Sequence, residues 1–489
     1  MTVGLGRVLG VAGAVVGALL AVSGSWSQDP ASFEARAEYL YRRIDRGGIP
    51  TRMLAAMLRD PFPETRILAV RAVSSSADPT QILLLGEYAR DLDLRVRSEV
   101  MLAAGRLGPR GRSLALKGLA DTVPRVRQIA AWASCHGGDE ALGPMMLRME
   151  DETDTGVRAT ALANLWRFGD AGWTQYAIRA VSSREPQLRR AAAYSLARSD
   201  RSDARSALRR LAADRHAVIR ATAVAGLRRA SLALDDLMVV MRALEDPDER
   251  VRIAACQTLA AQTEPPLAPE TAGRVAALWR TSRPQLAVAA LRAAGARSEI
   301  GSDAELAELA TGGEPWLAST ALASLVRRSG EGAVTIAGAW LPDGEPWQRR
   351  AVAAVAVELG GDFEKASAAD PAPAVRLAWL ESLDTPRVVA RSQALRSLIA
   401  DDPDPVVRAV VLGQLRVAGL AGSFDTLMGL VRLWRSDELP DARGAALVAA
   451  LESAANDDQR RLVMDVAKAD AAPVAAVMVA NAARERELA

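Results

Sequence analysis

The chain is 489 residues long, half of them apolar, with a formal net charge of only +2. It has material for a large core and no charge excess of the kind used to bind nucleic acid. Aromatics make up 4% and there are two histidines and two cysteines, which leaves little for metal or thiol chemistry. The near-neutral total hides a division: residues 26–240 carry 33 basic and 25 acidic groups, residues 241–489 carry 27 and 34.

In chain order, residues 1–25 read as a signal peptide. Arg7 precedes an apolar run from Val8 to Val22, and Ser23-Gly24-Ser25 supplies small residues for cleavage. The expected location is periplasmic or secreted. The alternatives are an N-terminal anchor formed by residues 3–22, in which case the membrane is a partner, and a cytoplasmic protein. Residues 26–49 form a leader and a capping helix, with Phe33, Ala37, Leu40 and Ile44 at helical spacing.

From residue 50 onward one frame recurs, clearest in DPDPVVRAVVLGQL from Asp402 to Leu415. An Asp opens it, an apolar residue stands at +5, usually an Arg at +6, small or apolar residues at +9 and +10, and often Leu at +13. At 100° per residue, +5, +9 and +13 share one face, which predicts a helix with a buried stripe. The opening Asp, followed by Pro in Asp60-Pro61, Asp246-Pro247, Asp370-Pro371 and Asp402-Pro403, is expected to be the N-cap with Pro at the first helical position. The frame opens at Asp60, Asp91, Asp121, Glu152, Ser183, Asp214, Asp246, Thr281, Gly312, Asp343, Asp370, Asp402 and Asp437, with a weak copy near Ala469. A nearly constant step between openings, in a helical pattern, signals stacked helix pairs. The predicted fold is all-α, an α-solenoid of about 13–14 helix pairs. Residues 50–260 form its basic half, residues 261–270 (around QTEPPLAPE) a Pro-rich loop that interrupts or leaves the stack, and residues 271–489 its acidic half. The step from Asp343 to Asp370 is short and leaves only the stretch from Asp362 to Ala369 for a first helix.

The Asp/Val-Arg pattern in Asp91/Val96/Arg97, Asp121/Val126/Arg127, Asp246/Val251/Arg252, Asp370/Val375/Arg376 and Asp402/Val407/Arg408 resembles the HEAT family, in the short bacterial form also seen in phycobilin lyase-like proteins. The resemblance covers residues 50 to about 485 and specifies a fold, with no activity attached. It implies a structural ladder in which each Arg bridges to an Asp of a neighbouring repeat. Acid and base are lost together where Thr281 and Gly312 open frames that carry Ala287 and Ala318 at +6. Similar arrays in some bacterial proteins precede a prolyl isomerase domain, so an accessory or substrate-presenting array for an envelope enzyme is the alternative function. A membrane-tethered or cytoplasmic scaffold is another.

Catalytic signatures are missing from the sequence. His136 and His216 lie in different repeats, and there is no HxxxH, CxxC, nucleophile elbow or phosphate-binding Gly loop. The acidic clusters Asp151-Glu152-Asp154, Asp246-Asp248-Glu249 and Asp401-Asp402-Asp404 sit at repeat turns, where capping accounts for them. No enzyme activity, cofactor or metal is expected. Cys135 and Cys256, four repeats apart, are read as small buried residues that do not bridge. Trp279, Trp340 and Trp434 take a core position. Glu314-Pro315-Trp316 and Glu345-Pro346-Trp347 repeat at the turn, either as an exposed aromatic pair or as covers for the preceding helix.

One row suggests a binding face. At +15 of successive frames stand Arg106, His136, Arg167, Arg198 and Arg229, with Arg228 beside the last, and Trp132, Trp166 and Tyr194 lie nearby. Cations in a last helical turn also serve as caps. As a binding strip, the row predicts a non-catalytic scaffold of the cell envelope that presents its groove to a protein or peptide partner, acidic in character.

Overall fold

The computed structural model describes residues 51–74, 79–169, 172–281, 283–328, 331–341, 343–434, 440–470 and 478–479. Among these, helices alternate with turns and no strand occurs. The signal, leader and capping helix expected before residue 50 lie outside the described residues. The fold is an all-α solenoid of repeats, divided into two compact units at Ser195 and Leu196. In the first unit the second helices of the repeats, Pro63–Ser74, Leu94–Arg106, Pro124–Ser134 and Thr155–Asn164, pack each on the next. In the second unit the same holds for Ala217–Gly226, Glu249–Ala261, Pro284–Ala296, Pro315–Arg328, Pro346–Ala353, Pro373–Glu381, Pro405–Val417 and Pro440–Ser453.

The predicted stripe is the core. At +5, Val96, Val126, Val157, Val251, Val375 and Val407 are buried, and +9, +10 and +13 bury Val100, Met101 and Ala104 in one frame and Val411, Leu412 and Leu415 in another. Each such Val or Leu contributes roughly 1.5–3 kcal/mol by leaving water. Ala at +9 and +10, as in Ala130-Ala131 and Ala192-Ala193, lets neighbouring second helices approach closely.

The helix start lies later than the sequence suggests. Helices begin at +3, with Pro124, Pro373 and Pro405 at the first position, and the N-cap stands at +2: the side chains of Asp93, Asp154, Asp248 and Asp404 accept from first-turn amides. The opening acid instead accepts from the +2 amide, at 2.8 Å for Asp91, Asp121, Glu152, Asp370 and Asp402. Pro403 is therefore a turn residue, and the turn is tied to itself before the helix starts.

The opening acid's other role is the ladder. Arg97 donates Nε to Asp121 at 2.7 Å, while its Nη1 donates to the carbonyl of Asp91 at 2.8 Å. The same fork joins Arg66 to Asp91, Arg127 to Glu152, Arg220 to Asp246, Arg349 to Asp370 and Arg376 to Asp402, each at 2.7–2.8 Å. Each rung runs from the Arg of one frame to the acid of the next. Arg443 extends it to Asp470, so the weak last frame opens at Asp470, just beyond Ala469. This direction explains the gaps. Arg252 meets the Thr281 frame and keeps only carbonyl bonds, its buried Nε having no hydrogen-bond partner among the described residues. Ala287 and Gly312 lack both halves of a rung, and Ala318 leaves no base for Asp343.

A second ladder escaped the sequence reading. At +12, hydroxyls of Ser195, Thr258 and Ser324 donate to the +10 carbonyls of the preceding second helix, Leu162, Val224 and Leu291. The Pro-rich loop does not break the stack, because Glu249–Ala261 packs directly on Pro284–Ala296. Nor does it swing free: buried Arg297 bonds the carbonyls of Leu259 and Pro265, and Glu299 accepts from both Arg297 and Leu267. The short step does hold a compact first helix, Gly361–Ala368. Cys135 and Cys256 are free and buried, and burial pushes both thiols up to about 12.

Candidate functional site

In the first unit the row at +15 closes three successive second helices. Arg106 ends Leu94–Arg106, and its Nη1 lies 3.4 Å from Glu99, which Arg71 also bonds at 3.1 Å. Glu99 is buried under these two half-exposed arginines. Its role was invisible in the sequence because +8 is not an acidic position elsewhere, and Arg71 reaches it from another repeat. Arg106 is thus locally compensated.

The next two members pair with aromatic rings. Trp132 occupies space that Gly105 leaves open on the preceding helix, where a Cβ would lie 2.2 Å from the ring. His136 packs against Trp132 with the rings tilted by 51° and centroids 4.4 Å apart, and its Nδ1 donates to the Trp132 carbonyl at 2.9 Å. Burial first, then the charge of Arg167, lowers the His136 pKa, outweighing that hydrogen bond, so the imidazole is neutral at pH 7. The ionisable His of the row is thus held toward its neutral form and caps its own helix. Arg167 differs. It ends the helical turn Leu165–Arg167, lies over the Trp166 ring at 4.6 Å and donates Nε to the Asn164 side chain at 3.3 Å. It is exposed, and no carboxylate bonds it among the described residues. Tyr194 is also exposed, on Pro186–Leu196.

In the second unit Arg198 is half-buried, and Arg228 and Arg229 are exposed in the turn Leu227–Arg229. The Arg228 carbonyl accepts from Gln262 at 2.7 Å, which fixes the turn while both guanidinium groups stay clear of carboxylates among the described residues. Arg327, at +15 of a later frame, is likewise exposed and bonds no helix-end carbonyl there. Capping therefore accounts for His136 and not for Arg167 or Arg327. The structure places the predicted residues as two sets, Arg106, Trp132, His136, Trp166, Arg167 and Tyr194 in one unit and Arg198, Arg228 and Arg229 in the other.

The remaining candidates resolve locally. Trp279, Trp340 and Trp434 are buried as expected, and Trp347 packs edge-on against Trp340 with centroids 5.3 Å apart, covering the preceding helix. Trp316 is 38% exposed. In the acidic clusters Glu152, Asp154, Asp246, Asp248, Glu249, Asp402 and Asp404 spend their oxygens on arginines and turn amides, and no group of three metal-binding side chains occurs among the described residues. A buried acid that the sequence did not single out, Asp236, is held by Arg205, by Arg209 at 2.8 Å and by the Ala233 amide. Burial alone would raise its pKa, yet these donors keep it lowered.

A family model described as HEAT repeats matches residues 51–135 and 144–228. Among solved structures, the Escherichia coli protein YibA is 17% identical, with 62% of this chain and 100% of YibA aligned and a TM-score of 0.37. The karyopherin Kap121p, bound to the extreme C-terminus of the protein phosphatase Cdc14p, is 13% identical, with 90% of this chain and 54% of Kap121p covered and a TM-score of 0.43. Importin beta is 11% identical, with 90% of this chain and 66% of its own covered and a TM-score of 0.43. The chain spans about half the length of Kap121p. No curated protein sequence matches it.

Proposed function

We propose that this chain, which matches HEAT repeats over residues 51–135 and 144–228, is a non-catalytic scaffold of the cell envelope whose exposed arginines, in each unit by itself, hold acidic segments of a protein partner. The observation that carries this reading is the contrast between two classes of arginine. Ladder arginines are forked onto carboxylates, whereas Arg167, Arg228 and Arg229 stand exposed with no carboxylate among the described residues. An arginine stacked on an indole is held ready for a carboxylate without first breaking a salt bridge. The export-like stretch in residues 1–25 supports the envelope location.

The test uses a fluorescent glutamate-rich peptide titrated into the mature protein by anisotropy. Affinity is expected to fall as salt rises, since exposed charges are screened within about 8–10 Å at physiological ionic strength. Arg167→Glu should weaken binding several-fold with an unchanged melting temperature, and Arg228→Glu with Arg229→Glu should do so separately. An affinity indifferent to salt and to all three reversals rejects the reading. Cell fractionation with N-terminal mass spectrometry checks the location: intact Met1 in the soluble cytoplasm rejects export.

A further inference from the structure

Where the ladder reaches Thr281, two donors that share one carboxylate in other frames have none. In a complete rung, Asp121 takes Arg97 Nε at 2.7 Å, Arg97 Nη2 at 3.3 Å and the +2 amide of Val123 at 2.8 Å. Arg252 is gripped as Arg97 is. Its Nη1 donates to the carbonyls of Asp246 at 2.8 Å and Pro247 at 3.4 Å, against 2.8 and 3.3 Å for the matching bonds of Arg97. The repeat register then sets it against the turn opened by Thr281, since Glu249–Ala261 packs on Pro284–Ala296 as Leu94–Arg106 packs on Pro124–Ser134. Yet Arg252 Nε is buried without a hydrogen-bond partner, and the +2 amide, that of Arg283, has no acceptor among the described residues. The Thr281 hydroxyl donates elsewhere, to the Leu278 carbonyl at 2.9 Å. The acids of Arg252's own turn are taken: Asp246 by Arg220, Asp248 by Arg250 and Glu249 by Arg283. A half-buried guanidinium thus carries its charge with no carboxylate bonded to it among the described residues.

We infer that this joint binds a carboxylate from outside the chain, which takes the place of the missing acid. A guanidinium edge holds Nε–H and Nη2–H in one plane, spaced for the two oxygens of a carboxylate, and the turn amide adds a third donor. A charge half withdrawn from water gains most from a counter-charge that also accepts its hydrogen bonds. Thr281 ends at its γ atoms, one bond short of the position that carboxylate oxygens take on an Asp, so the ligand's oxygens replace those atoms. Chloride offers no second oxygen to the fork, and tetrahedral sulfate or phosphate does not lie flat in its plane. Bound there, the carboxylate ties Glu249–Ala261 to the turn before Pro284–Ala296, so occupancy tightens one joint. Arg252 stands near the start of its second helix, whereas Arg228 and Arg229 follow the end of theirs. The site is therefore distinct from the exposed arginines above and stands whether or not they bind an acidic partner.

The experiment replaces sodium chloride by sodium formate at constant ionic strength and follows amide hydrogen exchange of the full chain by mass spectrometry. Exchange at Thr281 and in the first turn of Pro284–Ala296 should slow saturably, by at least about fivefold, because a ligand held only by the closed joint suppresses its opening. The joint between Leu94–Arg106 and Pro124–Ser134, whose rung is complete, should not respond. Thr281→Asp should show the slow rate already in chloride and lose the formate response. Arg252→Gln should lose the response with exchange fast in both salts. The capped peptide ADA, with ANA as its control, distinguishes the source of the carboxylate: protection by ADA admits the acidic side chain of a partner, and protection by formate alone restricts the site to free small carboxylates. Equal exchange in formate and chloride, an equal response at the complete rung, or a response that survives Thr281→Asp overturns the proposal.

Discussion

Removing the acid of one rung tests whether the ladder holds repeats together or merely decorates their edge. Asp121 accepts Arg97 Nε at 2.7 Å, Arg97 Nη2 at 3.3 Å and the Val123 amide at 2.8 Å, and its side chain is 7% exposed. Asp121→Ala removes a turn amide's acceptor, at about 1 kcal/mol, and a charge-assisted pair, at about 1.5–3 kcal/mol, so the loss should be roughly 2–4 kcal/mol. Asp121→Asn retains an acceptor for Val123 and should cost about half as much. Arg97→Ala, with Asp121→Ala and the double variant, closes a cycle whose coupling should be about 2 kcal/mol. Arg252 is a built-in control: it keeps the carbonyl bonds of a rung without a carboxylate, so Arg252→Ala should cost less than Arg97→Ala by about that coupling. Thr281→Asp, which restores the missing acid, should then stabilise the Arg252 joint. Urea unfolding by circular dichroism needs hydrogen exchange in Pro124–Ser134 beside it, because a repeat array unfolds locally as well as globally. Coupling below about 0.5 kcal/mol, with equal losses at Arg97 and Arg252, would refute the reasoning.

Two further outcomes follow from the carboxylates and the thiols. The hydrogen bond from Arg127 holds Glu152 below its ordinary pKa, and that from Arg220 does the same for Asp246. Their stabilisation is complete above the unfolded carboxylate pKa of about 4 and is lost as pH falls through the lower folded values. Melting temperature should therefore hold steady above about pH 5 and drop below it, less steeply in Arg127→Ala and Arg220→Ala proteins. Cys135 and Cys256, pushed up to about 12 by burial, should resist iodoacetamide at pH 8 in the native protein and label fully in denaturant.

The sequence made the repeat register legible because burial at +5, +9, +10 and +13 is a property of one helix and its period. The position of the N-cap was misread because Asp-Pro has two local solutions, a cap or a turn closed on the +2 amide, and Asp93, Asp154, Asp248 and Asp404 at +2 reveal which is taken. Glu99, Asp236 and Arg297 were missed because their burial is set by partners from other elements. The direction of the ladder was also hidden. The joint loss at Thr281 and Gly312 fitted a ladder between neighbouring repeats without giving its sense, which runs from each Arg to the acid of the following frame and leaves Arg252 as the stranded member. Of the +15 row, the sequence located the arginines but could not distinguish His136, which caps its own helix, from Arg167, which does not.

The joint between Pro315–Arg328 and Pro346–Ala353 has no rung of either kind, and no hydrogen bond or ion pair crosses it among the described residues. The two helices pack through apolar surface, with Leu322, Val352 and Ala353 buried on them, and that attraction depends on buried area and hardly on angle. Forked arginines elsewhere resist sliding because a displacement of about 1 Å breaks their geometry. In mechanical terms the bare joint is the compliant element of its unit, stiff against separation and soft in shear. Trp316 and Trp347 stand on its two sides and line one cleft, whose width is therefore set by the softest degree of freedom nearby.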